Sequence, residues 1–285
     1  MDFLKGHGTE NDFVLLPDAD GSRHADLTPE LVAALCDRRA GIGADGVLRV
    51  VRSAAYDDPA AVAVRDDAEW FMDYRNGDGS TSEMCGNGIR VFARYLADHE
   101  GVDVTRPLAV GTRSGVKVLT FGSEGQVSVD LGEPVVHGET MVSVGDRSWP
   151  AQHVSMGNPH AVAFVEDLAD AGPLLDPPQH DPGEYPDGVN VEFVVRRGDR
   201  HLAMRVHERG SGETRSCGTG AGAVMVAAAL ADDSPPGTAY RVDVPGGRLE
   251  VTWTVGAGTR GTGTAGHVEL TGPAVIVAKG TWLAN

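Results

Sequence analysis

Cys85 opens the run Cys-Gly-Asn-Gly and Cys217 opens the run Cys-Gly-Thr-Gly, in a chain with three cysteines in all. Each run precedes a stretch with helical character. Glycines directly after a cysteine let the backbone turn tightly and leave the first N–H groups of a helix available, where orphan donors and the helix dipole favour an anion. The same field is expected to lower the pKa of an adjacent thiol. Two such helix starts could hold one carboxylate between them, with a sulfur on each side of the neighbouring carbon. One thiolate would then remove a proton while the opposite thiol supplies another, inverting the configuration. Backbone donors around the carboxylate would hold the charge that develops, so neither a metal nor a pyridoxal group is obligatory. The residues alone leave other readings open: small buried structural thiols, a redox pair, or a two-domain ligand-binding protein without chemistry.

Related halves would deliver the two cysteines. At an offset of 132 residues, Met72 matches Met204, Cys85 matches Cys217, Gly86 matches Gly218, Gly88 matches Gly220 and Ala97 matches Ala229. Both halves read as strand, glycine- and acid-containing loop, Cys-Gly-x-Gly, then helix. The second helix, about Ala221 to Ala231, has almost no polar face and so is expected to be buried all round. The first, Ile89 to Ala97, carries Arg90 and Arg94 among apolar residues, and this mixture places it nearer an edge or an interface. Thr28 followed by Pro29 signals a capped helix over 30–39, with Cys36 as a core thiol. Strand texture covers 47–51, 61–65, 69–74, 108–112, 115–121 and 126–131, then 161–165, 190–196, 201–207, 239–244, 248–254, 267–270 and 273–278. A Pro- and Asp-rich loop from Ala171 to Gly188 separates elements. Two sheet-rich domains, each around one helix whose start faces a shared cleft, account for both cysteine runs.

Composition narrows the partners. The chain has 285 residues, 41% of them hydrophobic, enough for two cores. A formal charge of −17 argues against a bulk electrostatic grip on nucleic acid or an anionic membrane, while leaving room for a small anionic substrate. The first residues have no basic segment followed by an apolar one, and no later stretch reaches membrane-spanning length, so a cytoplasmic protein is the expectation. Two matches to G-x-G-x-x-G, at 41–46 and 261–266, lack the strand-then-helix context of a dinucleotide fold. His7, His160 and His207 have no short metal-ligand spacing.

Taken together, HGTENDF 7–13, GIGADG 41–46, YRNGDGS 74–80, EMCGNG 83–88, SMGNPHAV 155–162, HERGSGETRSCGTG 207–220 and VPGG 244–247 resemble diaminopimelate epimerases, over nearly the whole chain. The resemblance implies an α/β (α+β) fold of two pseudo-symmetric domains, each a strongly curved, largely antiparallel sheet around a central helix, with the active site in the interdomain cleft. It implies an N-terminal domain of 1–129 plus 273–285 and a C-terminal domain of 130–272. It also implies Cys85 and Cys217 as the acid/base pair and Gly86, Asn87, Gly218 and Thr219 as the carboxylate cradle. Asn11, Asn76, Asn158 and Asn190 match polar substrate contacts, and Arg209 matches the partner of a distal carboxylate. Glu208 and His160 match residues that organise the reacting centre. The expected activity is interconversion of LL- and meso-2,6-diaminopimelate with no cofactor, and a homodimer is implied. Three positions depart from the family pattern: Gly46 where many members carry Gln, Gly77 where Ala is common, and Glu10 in the first motif. A related two-cysteine racemase for another amino acid is the alternative.

Overall fold

The computed structural model describes residues 1–25, 27–255 and 266–283. In chain order the strands are β1 (Asp2–Gly8), β2 (Asn11–Pro17), β3 (Gly46–Arg52), β4 (Trp70–Asn76), β5 (Leu108–Thr112), β6 (Gly115–Phe121), β7 (Gln126–Asp130), β8 (Val135–Val144) and β9 (Arg147–Ser155). There follow β10 (Pro159–Phe164), β11 (Asn190–Gly198), β12 (His201–Glu208), β13 (Gly212–Thr214), β14 (Ala239–Val244), β15 (Gly247–Val255), β16 (Gly266–Pro273) and β17 (Val275–Thr281). The α-helices are α1 (Pro29–Cys36), α2 (Pro59–Val64), α3 (Gly86–Tyr95) and α4 (Gly218–Ala231). Two compact units emerge, Met1–Val129 with Gly272–Asn285, and Asp130–Thr271.

Each unit has the same succession of strand pairs. In the first, β17 pairs antiparallel with β1 and β1 with β2, β2 runs parallel to β3, β3 antiparallel to β4, β4 parallel to β5, and β5–β6 and β6–β7 are antiparallel. In the second, β8–β9 and β9–β10 are antiparallel, β10 is parallel to β11, β11 antiparallel to β12, β12 parallel to β14, and β14–β15 and β15–β16 are antiparallel. The C-terminal β17 therefore fills, in the first unit, the place that β8 fills in the second. The repeat seen around the cysteines extends to the hydrogen-bonded order of both mixed, mostly antiparallel sheets.

A helix lies against each sheet. α3 packs on β1, β2, β3, β4 and β17, and α4 on β9, β10, β11, β14 and β15. In α4 everything from Gly218 to Ala229 is buried except Thr219, as its uniform apolarity requires. In α3 every residue but Arg94 is buried, Arg90 included. Placing this helix near an edge is thus corrected: the charge at Arg90 marks a buried cation rather than a solvated face.

Other elements show where pattern and structure part. Thr28 caps α1 by accepting the Leu31 N–H at 3.3 Å, with Pro29 in the first turn. The segment 61–65 is helix rather than strand, because Asp58 accepts the Ala60 N–H at 2.9 Å and Pro59 presets the first turn of α2. Its inward residues, Ala61 and Val64, fall at helical spacing. The match at 41–46 follows α1 and leads into β3, whereas 261–265 lie outside the described residues. Among the described residues no helix is long and apolar enough to cross a membrane.

Candidate active site

In the first unit Cys85 is the N-cap of α3. Its backbone is extended, φ −138° and ψ 120°, and its Sγ accepts the Gly88 N–H at 3.3 Å. The sulfur takes the role usually filled by a Ser or Asp oxygen, which places it at the positive end of the helix. Asn11, the first residue of β2, accepts the Cys85 S–H at 3.6 Å and the Asn87 amide at 3.2 Å on its side-chain carbonyl. Its own amide donates to Asp45 at 2.7 Å, and Asp45 is held in turn by Arg38 at 2.6 Å. Asn11, Cys85, Gly86 and Asn87 are thus brought together, with Asp45 and Arg38 fixing the Asn11 amide. Asn76 ends β4 and donates to Ser80 of its own loop at 2.9 Å.

The second unit repeats the cap and surrounds it differently. Cys217 caps α4 with φ −118° and ψ 117°, its Sγ accepting the Gly220 N–H at 3.3 Å. Thr219 Oγ1 lies 3.6 Å from this sulfur, and the Asn158 amide donates to the same hydroxyl at 3.4 Å. Asn158 Oδ1 meets His160 Nε2 at 3.1 Å, and His160 Nδ1 meets Glu192 Oε1 at 2.7 Å. With Nε2–H donating to Asn158, the remaining proton of the pair lies between Nδ1 and Glu192. Burial pushes the Glu192 carboxyl up, with His160 acting against it. Burial also pushes up Glu208, against the Thr214 hydroxyl, His160 and the Cys217 thiol. Thr214 Oγ1 donates to Glu208 Oε1. Asn190 donates to the Pro159 carbonyl at 2.9 Å and accepts the Arg209 N–H at 3.0 Å, so both ends of its amide clamp neighbouring backbone. Arg209 itself is exposed, with Nη1 donating to the Asp187 carbonyl at 3.4 Å.

The diaminopimelate epimerase family model matches residues 3–137 and 152–275. A diaminopimelate epimerase from Streptomyces coelicolor is 60% identical, over 98% of this chain and 94% of that protein. One from Thermobifida fusca is 48% identical over 98% and 97%. The chain belongs to the diaminopimelate epimerase family. Among solved structures, a Bacillus anthracis phenazine biosynthesis protein of the PhzF family superposes with a TM-score of 0.74 at 15% identity, covering 100% of this chain and 99% of that one. A probable proline racemase from Agrobacterium radiobacter gives 0.69 at 15% identity, covering 100% and 93%. At such identities the likeness is one of fold.

Family membership frames what sequence reasoning missed. Glu192 sits in the apolar run of β11, at 0% exposure. An acid inside an apolar strand was the available signal. Asp45 stands inside the glycine run 41–46 and Arg38 just before it, and neither carries a local sequence signal for holding Asn11. The expectation that the helix field lowers both thiols is corrected at Cys217: burial, then Glu208 and Glu192, push its thiol well above the ordinary cysteine range. Among the described residues no group of three or more His, Cys, Asp or Glu side chains is arranged to hold a metal ion.

Proposed function

We propose that the chain interconverts LL-2,6-diaminopimelate and meso-2,6-diaminopimelate by exchanging the proton at one α-carbon between Cys85 and Cys217. The observation that carries this reading is that each sulfur caps a helix start in the same geometry, inside a chain of this family. The N–H groups of Gly86 and Asn87 at one helix start, and of Gly218 and Thr219 at the other, supply donors for the carboxylate beside the reacting carbon, where charge develops as the proton leaves. Asn11, Asn76, Asn158 and Asn190 discriminate the polar ends of the substrate, and Arg209 pairs with the distal carboxylate. Glu208 and His160 organise the protonation network around Cys217. In each direction one sulfur must be thiolate and the other thiol, so reversal of the reaction exchanges their roles. A cytoplasmic homodimer working without a bound cofactor completes the reading.

Incubation with LL- and meso-diaminopimelate, histidine, glutamate and proline, followed by chiral separation, tests reaction and substrate together. Conversion confined to the diaminopimelate isomers supports the proposal. Turnover of another amino acid in their place would transfer the chain to the alternative racemase reading.

A further inference from the structure

The last part of the connection from β10 to β11, residues 181–188, is held on two sides. On one side it meets the β8–β9 hairpin. Glu184 Oε2 accepts the Thr140 hydroxyl of β8 at 2.6 Å, and Glu184 Oε1 meets His153 Nδ1 of β9 at 2.9 Å. Each carboxylate oxygen is thus used on a different strand. The adjoining Tyr185 is 3% exposed and packs in the core that Val142, Ala151 and Phe193 share, with its ring 4.5 Å from that of His153. The N–H groups of Glu184 and Tyr185 return to the Asp181 carbonyl at 3.2 and 3.0 Å, and that of Gly188 to the Tyr185 carbonyl at 3.0 Å. The segment is therefore a continuous pair of turns, and the Glu184 carboxylate fixes where they stand on the sheet.

On the other side the segment meets Arg209, which follows β12. The Asp187 carbonyl accepts Arg209 Nη1 at 3.4 Å. Gly188 adopts φ +82°, and a Cβ there would stand 3.3 Å from both Cγ and Cδ of Arg209, so the arginine stem lies directly over the glycine backbone. Asn190, where β11 begins, accepts the Arg209 N–H at 3.0 Å. A neutral carbonyl aims the guanidinium without spending its positive charge, which stays available to an incoming carboxylate. An exposed arginine otherwise samples many rotamers and must be immobilised each time a ligand binds.

We propose that Glu184 is a positioning residue for substrate recognition: by tying the 181–188 turns to Thr140 and His153, it holds the Asp187 carbonyl and the Gly188 backbone where they pre-orient Arg209 for the distal carboxylate. The inference rests on the reading that Arg209 takes that carboxylate. Its consequence is specific to binding. Releasing Glu184 leaves the cysteines and their helix starts as they are, but lets Arg209 spread over rotamers among which the second carboxylate must then select.

Steady-state kinetics of the full-length enzyme with LL- and meso-diaminopimelate test this. Glu184→Ala should raise KM by about two- to tenfold, with kcat changing far less. The same substitution placed on Arg209→Ala should raise KM no further, because the side chain it positions is gone. Thr140→Val, which removes one of the two bonds, should move KM in the same direction, and Thr140→Ser, which keeps the hydroxyl, should retain the wild-type value. A Glu184→Ala enzyme with wild-type KM, a loss confined to kcat, or a full additional loss in the Arg209→Ala background overturns the proposal. Should Glu184→Ala fail to fold, the Thr140 variants decide, and equal KM for Thr140→Val and wild type overturns it. If Arg209→Ala alone leaves KM unchanged, the distal-carboxylate reading fails and this inference falls with it. A KM that rises in Arg209→Ala but not in Glu184→Ala rejects this inference alone.

Discussion

His160 on β10 and Glu192 on the neighbouring parallel strand β11 meet at 2.7 Å, Nδ1 to Oε1, with both side chains fully buried. Through Asn158 and Thr219 this pair is linked to the sulfur of Cys217, and Gly220 is packed so closely that a Cβ there would stand 2.7 Å from Glu192 Oε1. The carboxylate is therefore placed to hold His160 in one orientation and one protonation pattern. Glu192→Gln keeps the volume and one acceptor oxygen but removes the ionisable carboxyl and its charge. A lost charge-assisted bond is worth about 1.5–3 kcal/mol, so kcat/KM should fall roughly ten- to a hundredfold with the fold intact by circular dichroism. Unchanged kinetics would reduce the pair to packing.

Gly46 is register partner to Asn76 across β3 and β4. A Cβ at 46 would meet the Arg75 carbonyl oxygen at 2.5 Å and Tyr74 Cε2 at 2.7 Å, and backbone cannot step aside as a flexible side chain can. Gly46→Ala should cost about 1–3 kcal/mol by overpacking and raise KM by displacing Asn76. Denaturant unfolding and steady-state kinetics read the two effects. A variant with wild-type stability and KM would show that the strand end relaxes freely.

Asp12 links electrostatics to acid stability. Burial works against its ionisation, but hydrogen bonds and charge from Arg38 and Lys5 win and hold the carboxyl down at about 2, from 3.8. A folded value below the unfolded one stabilises the protein above pH 3.8, and that contribution is lost as the pH falls through about 2. Asp12→Asn should be less stable at neutral pH, with a flatter loss of stability across that acid window than the wild type. Parallel unfolding curves for the two proteins as the pH is lowered would contradict the assignment.

Arg209 is exposed and tethered to the Asp187 carbonyl, with its backbone N–H fixed by Asn190. If it takes the distal carboxylate, Arg209→Ala should lower kcat/KM for diaminopimelate by about ten- to a hundredfold, mainly through KM. Competition by a short monocarboxylate amino acid should change little. Equal losses for both molecules would show that the guanidinium does not read the second end.

The sequence made some parts of this molecule legible because their chemistry repeats locally. The Cys-Gly-x-Gly runs exposed both helix starts, and the uniform apolarity of α4 announced its burial. The strands β1 and β2 were hidden because HGTEND, a run of polar residues and glycines, joins them. β9 was hidden by Pro150, which sits beyond Ala151, the last residue paired to β10, where only β8 needs its backbone. α2 was masked by an alternation of Ala and Val that its Asp58 cap overrides. Arg90 and Glu192 carry only an ambiguous signal of burial, because a lone charge in an apolar run has two meanings and only the surrounding sheet selects between them.

The central claim is that two sulfurs share the proton exchange, and isotope incorporation reaches it most directly. Each pure stereoisomer is incubated in deuterated water with wild type, Cys85→Ala and Cys217→Ala, and deuterium at the inverted α-carbon is followed by mass spectrometry. Wild type should place solvent deuterium in the newly formed isomer from either starting compound, while both variants lose isomer conversion. Robust conversion by either single-cysteine variant would contradict the two-base account.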